Sequence, residues 1–409
     1  MRWLTGFLLA SAALAQDMWL AEAEGKMEAG DYGGAAEAYG KAIEGAPGDA
    51  RGYAGRARAL QRLRRHADAV KDASKAIELA PKPDARSHAV RAFSYCMLLE
   101  YDKAIADCDR SIEIAPSSFA CRVRGDASHG KREEKDALSD YTRALFLDAT
   151  DATALHRRGE VKQALRDFAG AIEDFTQLVA LVPDSAVPST MRGRARMYVR
   201  DYEGALRDFA EALGKEGEQP RGAIHAARAR ALWALGRKEE ADEEAARADE
   251  APSPAETLAE VGRYYLDTGR AKEATASFQR AVTADPAGQD YTRLYLFLAR
   301  ARLGERPLAA GELKAYTDRR AGRDDWYSRV AGFLCGAVKE EDLFAAAASK
   351  NPQLALEQEC EACWYAGAVR LLDRDNVGAL LLFERCYVTE VRTFIEWESA
   401  RMALAAMNK

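Results

Sequence analysis

The chain has 409 residues, 48% of them hydrophobic and 30% charged, with 59 basic and 65 acidic residues and a net charge of -6. Such a balance belongs to a folded chain and excludes long disorder. The acidic total argues against a general nucleic-acid binder, which carries a basic surplus. A single core stops growing at ~250–300 residues, so the length predicts two domains or one elongated array.

Residues 1–15, MRWLTGFLLASAALA, read as a signal peptide. Arg2 supplies the positive start, Trp3 to Leu14 the apolar run, and Ala13-Leu14-Ala15 a small-residue cleavage site before Gln16. The expectation is an exported protein, periplasmic or extracellular. The run is too short to span a bilayer, and no later stretch reaches the ~18 apolar residues a membrane helix needs, so no transmembrane segment is expected. No Cys follows the run, so a lipid-anchored N-terminus is not indicated.

From Gly30 the chain repeats itself. GDYGGAAEAYGKAIEGAP, from Gly30, aligns with GRAKEATASFQRAVTADP, from Gly269. The shared Ala recurs at Ala35, Ala69, Ala104, Ala137, Ala171, Ala205, Ala241 and Ala274, at spacings of 33 to 36 residues. Each unit reads as two antiparallel helices. Small residues mark the crossing (Gly159 with Ala171, Gly193 with Ala205, Gly262 with Ala274). Tyr39, Tyr141, Phe175, Phe209 and Phe278 fill the space beside it, at the helical spacing of one buried stripe. Pro47, Pro81, Pro116, Pro183 and Pro286 end second helices, because Pro lacks the N–H and clashes with the preceding turn. Asp31-Tyr32, Tyr101-Asp102 and Asp201-Tyr202 mark turns within units. The units fall at about 16–49, 50–83, 85–118, 118–151, 152–185, 186–219, 222–254 and 255–288. A period near 34 residues of paired helices resembles the tetratricopeptide repeat. The resemblance implies an all-α, α–α superhelical solenoid that binds other polypeptides. The predicted organisation is a signal at 1–15, eight regular repeats over 16–288, and a degenerate C-terminal block over 289–409.

In that block, Tyr291 to Leu303 and Leu308 to Tyr316 read as a degenerate pair, and Trp326 to Leu334 and Glu340 to Ala348 as short helices. One regular unit returns as Ala362 to Leu372, the turn Arg374-Asp375-Asn376, then Ala379-Leu380-Phe383. A last helix, Phe394 to Met407, is expected to cap the stack, since the end of a solenoid needs covering. The string Cys360-Glu361-x-x-Trp364-Tyr365-x-Gly367, with Ala379, Phe383, Phe394-Ile395-Glu396, Ala400 and Leu404, resembles the C-terminal half of NlpI-type bacterial repeat proteins. That resemblance implies a dimerising envelope lipoprotein, an adaptor that presents cell-wall hydrolases to a tail-specific protease. The chain departs from it in lacking the lipid-attachment Cys and in carrying more repeats.

The family resemblance also implies that the first helix of each unit lines a concave face. The inward positions hold Arg51, Arg58 and Arg62, then Arg86 and Phe93, then Arg122 and Asp126, then His156, Arg157 and Glu160. Arg194, Met197 and Tyr198 follow, then Arg230 and Trp233, then Glu260 and Arg263. The predicted peptide-binding groove is therefore Arg58, Arg62, Arg122, Arg157, Arg194, Tyr198, Arg230, Trp233 and Arg263. Arg forks suit carboxylates, so the expected ligand is an acidic segment or a free C-terminal carboxylate. The competing reading is a solvated face whose Arg residues pair with carboxylates of adjacent units. The Lys and Asn pattern of a dicarboxylate clamp is missing; those positions hold Leu20, Ala54, Ala89, Arg122 and His156.

Signals for chemistry are sparse. Cys360-x-x-Cys363 has a redox or zinc spacing, yet Cys335 and Cys386 are the only nearby candidates for further ligands and no second close pair exists. Buried, apolar Cys is the favoured reading, with a disulfide at Cys360 or Cys363 left open for an exported chain. The five His residues form no H-E-x-x-H pair, and no phosphate loop, nucleophile elbow or dinucleotide fingerprint occurs. Trp233, Tyr264 and Tyr265 read by default as stacked core aromatics. The expectation is no catalytic residue, no metal and no cofactor: a protein–protein scaffold or adaptor of the bacterial cell envelope, with an envelope protease or cell-wall hydrolase as partner. Three alternatives stand beside it: a homo-oligomeric structural protein such as a homodimer, an enzyme with a C-terminal cysteine site, and a cytosolic regulator.

Overall fold

Four helices start on the same four-residue device. Asp31, Asp167, Asp201 and Asp375 each accept a hydrogen bond from the backbone N–H three residues on, at Gly34, Gly170, Gly204 and Gly378, over 2.8–2.9 Å. This satisfies an N–H that the helix cannot. In these four the Asp carboxylate folds close over the glycine, where a Cβ would lie 2.1–2.3 Å from it; Asp151 caps Ala154 and Asp325 caps Ser328 at 2.9 Å without a glycine.

The computed structural model describes residues 2–215, 221–250, 253–320, 325–391 and 395–407, with side chains from residue 15 onward. Met1 and Phe394 and the side chains of the apolar run through Leu14, used above, lie outside the described residues. Contacts divide the chain into two compact units, Met1–Pro183 and Asp184–Lys409. The end of the regular repeats at residue 288 thus falls inside the second unit.

The first unit holds α1 (Arg2–Glu28), α2 (Tyr32–Gly45), α3 (Ala50–Arg62), α4 (His66–Leu79), α5 (Ala85–Met97), α6 (Tyr101–Ile114), α7 (Ser118–Gly130), α8 (Glu134–Leu147), α9 (Ala152–Ala164) and α10 (Phe168–Leu181). The second holds α11 (Ala186–Tyr198), α12 (Tyr202–Leu213), α13 (Arg221–Ala234), α14 (Lys238–Glu250), α15 (Ala255–Asp267), α16 (Ala271–Ala284), α17 (Asp290–Arg302), α18 (Arg306–Arg319), α19 (Trp326–Leu334), α20 (Glu340–Ala347), α21 (Pro352–Leu372), α22 (Asn376–Val388) and α23 (Ile395–Met407). The described residues contain helices and no strand. Consecutive helices pack as antiparallel pairs, and within each unit the odd-numbered helices also touch one another, forming an inner layer. The architecture is the all-α solenoid of helix pairs that the period predicts.

The core follows a register of sixteen residues. Gly125, Gly159, Gly193, Gly262 and Gly367 face Tyr141, Phe175, Phe209, Phe278 and Phe383, and a Cβ on any of these glycines would meet the ring at 2.5–2.8 Å. The partner that demands a small residue is thus the aromatic ring, rather than the Ala of the second helix suggested by the sequence. Where the first helix carries Ala, the partner shrinks: Ala57 packs with Ala73, and Ala92 with Cys108. Each close approach keeps interior density without a void.

Two C-terminal features differ from expectation. α21 begins at Pro352, ten residues before the regular unit suggested, because Asn351 caps it by accepting from the N–H of Gln353 and Leu354. α23 packs on α22 as a cap does, and it also crosses to α15 of the inner layer. Ser399 donates to Asp267 at 2.8 Å, and the Arg401 guanidinium lies 5.9 Å from the ring centroids of both Tyr202 and Trp233.

Candidate functional site: an open groove and a covered one

Arginine occurs here in two neighbouring rows with different roles. The first row ties each unit together. Arg56–Asp72, Arg91–Asp107, Arg124–Asp140, Arg158–Asp174 and Arg192–Asp208 pair across sixteen residues at 2.6–2.7 Å. Arg228 and Glu244 repeat the pair at 3.5 Å. The carboxylates are nearly buried, Asp174 to 1% exposure. The signal was present in the sequence: Arg immediately precedes the small residue of the first helix, and Asp precedes that residue's partner in the second.

The second row is the predicted groove. In the first unit, Arg51, Arg58, Arg62 and Arg86 line a groove of about 1090 Å³ together with Leu20, Met27, Tyr32, Val90 and Phe119. Arg62 donates to the Tyr32 hydroxyl at 2.7 Å and lies over its ring. Arg58 donates to the Glu24 carboxylate, and at 3.3 Å to the Tyr39 hydroxyl. These bonds hold the guanidinium planes in place on the wall. Further along, Arg122 lies between Asp126 at 3.5 Å and Asp151 at 3.4 Å, over the Phe119 ring. Arg157 pairs with Glu160 at 2.9 Å and faces Asp126 at 3.7 Å. For these two, as for Arg58 with Glu24 and Arg51 with Asp17 and Asp49, the paired-face reading describes the contacts. Burial works against it, but His156 and Arg157 still hold the Glu160 carboxyl down to about 2.

In the second unit, Arg194, Tyr198, Arg230 and Arg263 come together, but under α23. They line a cavity of about 340 Å³ closed by Ile395, Trp397 and Glu398. Arg194 reaches Glu260 at 3.6 Å. Arg230, 9% exposed, reaches Asp267 only at 3.9 Å. Trp233 stands apart from that cavity and lines a different cleft with Tyr264, Asp267 and Met407. Tyr264 and Tyr265 are buried, their ring centroids 5.9 Å apart.

Sequence reasoning named Glu361 and Glu396 but missed that Glu396, on α23, is buried beside Glu361 of α21. Tyr295 donates to Glu396 at 2.6 Å, and the Trp326 indole N–H donates to Glu361 at 2.8 Å. Burial raises both carboxyls above the usual range, and at Glu361 the repulsion of Glu396 adds to it. Burial pushes the Asp267 carboxyl up to about 6 against the pull of Arg230 and the Ser399 bond. No local pattern marks these residues as neighbours, since Tyr295 and Glu396 are 101 positions apart. Cys360 and Cys386 lie buried with sulfurs 3.1 Å apart, and burial pushes the Cys363 thiol up to about 12. Among the described residues no three His, Cys, Asp or Glu side chains group to hold a metal ion, and no helix is long and apolar enough to cross a membrane.

The tetratricopeptide repeat family matches the chain at residues 20–85, 190–256 and 227–289. No curated protein sequence matches significantly. Among solved structures, the C-terminal part of a TPR repeat-containing protein from Cytophaga hutchinsonii is similar at 20% identity and TM-score 0.44, over 57% of this chain and 95% of that one. PilW, a type IV pilus biogenesis factor, is similar at 17% and 0.45, over 48% and 91%. YrrB, a TPR protein with an unusual peptide-binding site, is similar at 21% and 0.38, over 50% and 99%. None of these three likenesses bears on what this chain binds.

Proposed function

The chain is a tetratricopeptide-repeat protein, and on that premise we propose that it is an interaction scaffold whose first unit captures an acidic polypeptide segment. Repeats of this class mediate protein–protein interaction. The observation that carries the finer reading is the contrast between the two grooves. The Arg row of the second unit is covered by α23, whereas Arg51, Arg58, Arg62 and Arg86 line a groove of about 1090 Å³ that no other described side chain of that unit fills. Guanidinium groups there offer paired N–H donors to carboxylates, and Leu20, Met27 and Phe119 offer apolar contact beside them.

The proposed setting is the bacterial cell envelope, with a protease or cell-wall hydrolase as partner. The N-terminal apolar run and the NlpI-type resemblance of the C-terminal third support it. The test is a pull-down from an envelope extract with the full chain beside a double variant, Arg58→Glu with Arg62→Glu. Retention of a discrete partner by the parent and its loss by the variant is the expected result. Equal retention places binding elsewhere.

A second reading, self-association, is favoured by one observation. α22 exposes Val377, Leu381 and Val388 at helical spacing, at 72%, 60% and 76%. Such a row on one face suits a second copy. Light scattering on the parent and on Leu381→Glu tests it: a dimer mass that falls to 44.8 kDa in the variant supports it.

A further inference from the structure

The cavity beneath α23 has the build of a small-molecule site. Its volume of about 340 Å³ lies within the range that small ligands occupy. Its lining carries four guanidinium groups, Arg194, Arg200, Arg230 and Arg263, against two carboxylates, Glu260 and Glu398. Glu260 is engaged by Arg194 and Glu398 by Arg401. Arg230 is nine-tenths buried, and its Nε and Nη2 have no hydrogen-bond partner; the Nε of Arg263 has none either. Among the described residues the carboxylate that Arg230 pairs with is Asp267, at 3.9 Å, and that carboxylate already accepts from Ser399. Buried guanidinium N–H groups without acceptors are costly, and an anion relieves that cost. The remaining wall is apolar: Met197, Ala227, Ile395 and the ring of Trp397, with Tyr198 and Tyr202.

We propose that this cavity binds a small amphiphilic carboxylic acid, its carboxylate held by Arg230 and Arg263 and its apolar body packed on Met197, Ile395 and Trp397. The volume excludes a folded partner and fits a free acid of aromatic size. Because one wall is α23 and the other is α11, α13 and α15, the bound acid bridges the two and holds α23 in its seat. The site is separate from the groove of the first unit, so the two readings stand or fall independently.

Calorimetric titration of the full chain tests it, with three probes: 3-phenylpropanoate, the uncharged 3-phenylpropanamide, and inorganic phosphate. Saturable binding of the acid is expected, with the amide and phosphate at least tenfold weaker. Arg230→Gln should weaken the acid at least tenfold, while Arg58→Glu, in the other groove, should leave it unchanged. Should Arg230→Gln fail to fold, Arg194→Gln serves instead: its side chain is half exposed, and a severalfold loss is expected. No saturable binding of the acid overturns the proposal. So do equal affinities for acid and amide, which indicate a purely apolar void; equal affinities for acid and phosphate, which indicate charge alone; and parent-like binding of the acid by the arginine variant.

Discussion

Asp174 and Arg158 show what a single residue does in this fold. The pair sits at 2.6 Å with the carboxylate 1% exposed, and Lys162 approaches the same carboxylate at 3.0 Å. Asp174→Ala leaves two buried cations facing an apolar neighbour, and breaking a buried pair in this way costs about 3–5 kcal/mol. The denaturation midpoint should fall accordingly, and by much less for an exposed pair such as Lys75 with Glu78, where about 0–1 kcal/mol is at stake. Asp267 makes a prediction in pH. Its folded carboxyl is pushed up to about 6 from an ordinary 3.8, so between those values the folded state keeps a proton that the unfolded chain has released. Stability therefore falls as pH rises through that window, by at most roughly 3 kcal/mol, and stays low above it. Asp267→Asn should flatten this fall when melting temperature is followed from pH 4 to 7.5. Parallel curves for parent and variant would contradict the assignment. At Leu99 the backbone is left-handed, with φ of 62°, where other units place Arg or Gly. Leu99→Gly removes that strain and should raise stability by about 0.5–1 kcal/mol.

At the scale of elements, α23 depends on residues from distant parts of the second unit. Trp397 is 5% exposed, stacks on Tyr387 with centroids 5.0 Å apart, and donates its indole N–H to the Tyr387 carbonyl at 2.8 Å. Trp397→Ala removes that anchor, at a cost of about 3–5 kcal/mol in the range of large core truncations. Amide exchange should then accelerate through α23 and leave α3 to α8 unchanged; uniform acceleration would mean that α23 is no separate element. Regular helices were legible from the sequence because each is specified locally. The recurring Ala, the terminal Pro and the Asp-x-x-Gly turn all act within a few residues. The start of α21 was missed because its first ten residues break the repeat pattern, although Asn351-Pro352 is itself a helix start. The seat of α23 was not legible, because Ser399 and Asp267 are 132 residues apart and no period relates them.

At the scale of the whole chain, the repeat period writes the stacking into the sequence and leaves function to side chains that the period does not constrain. Arg157 and Arg158 are adjacent on α9, yet Arg158 is an internal tie to Asp174 and Arg157 pairs along its own helix with Glu160. The sequence identified the inward row, but that α23 covers the second unit's part of it follows from where α23 folds within that unit. The account rests on the first unit presenting the open groove. Its most direct test is a photo-crosslinking amino acid placed at Ala54, on the groove wall, and separately at Phe146, 88% exposed on α8. With the full chain in cells that make it, the account predicts one discrete protein adduct from position 54 and none from position 146. Adducts from position 146 alone, or the same adducts from both, would contradict it.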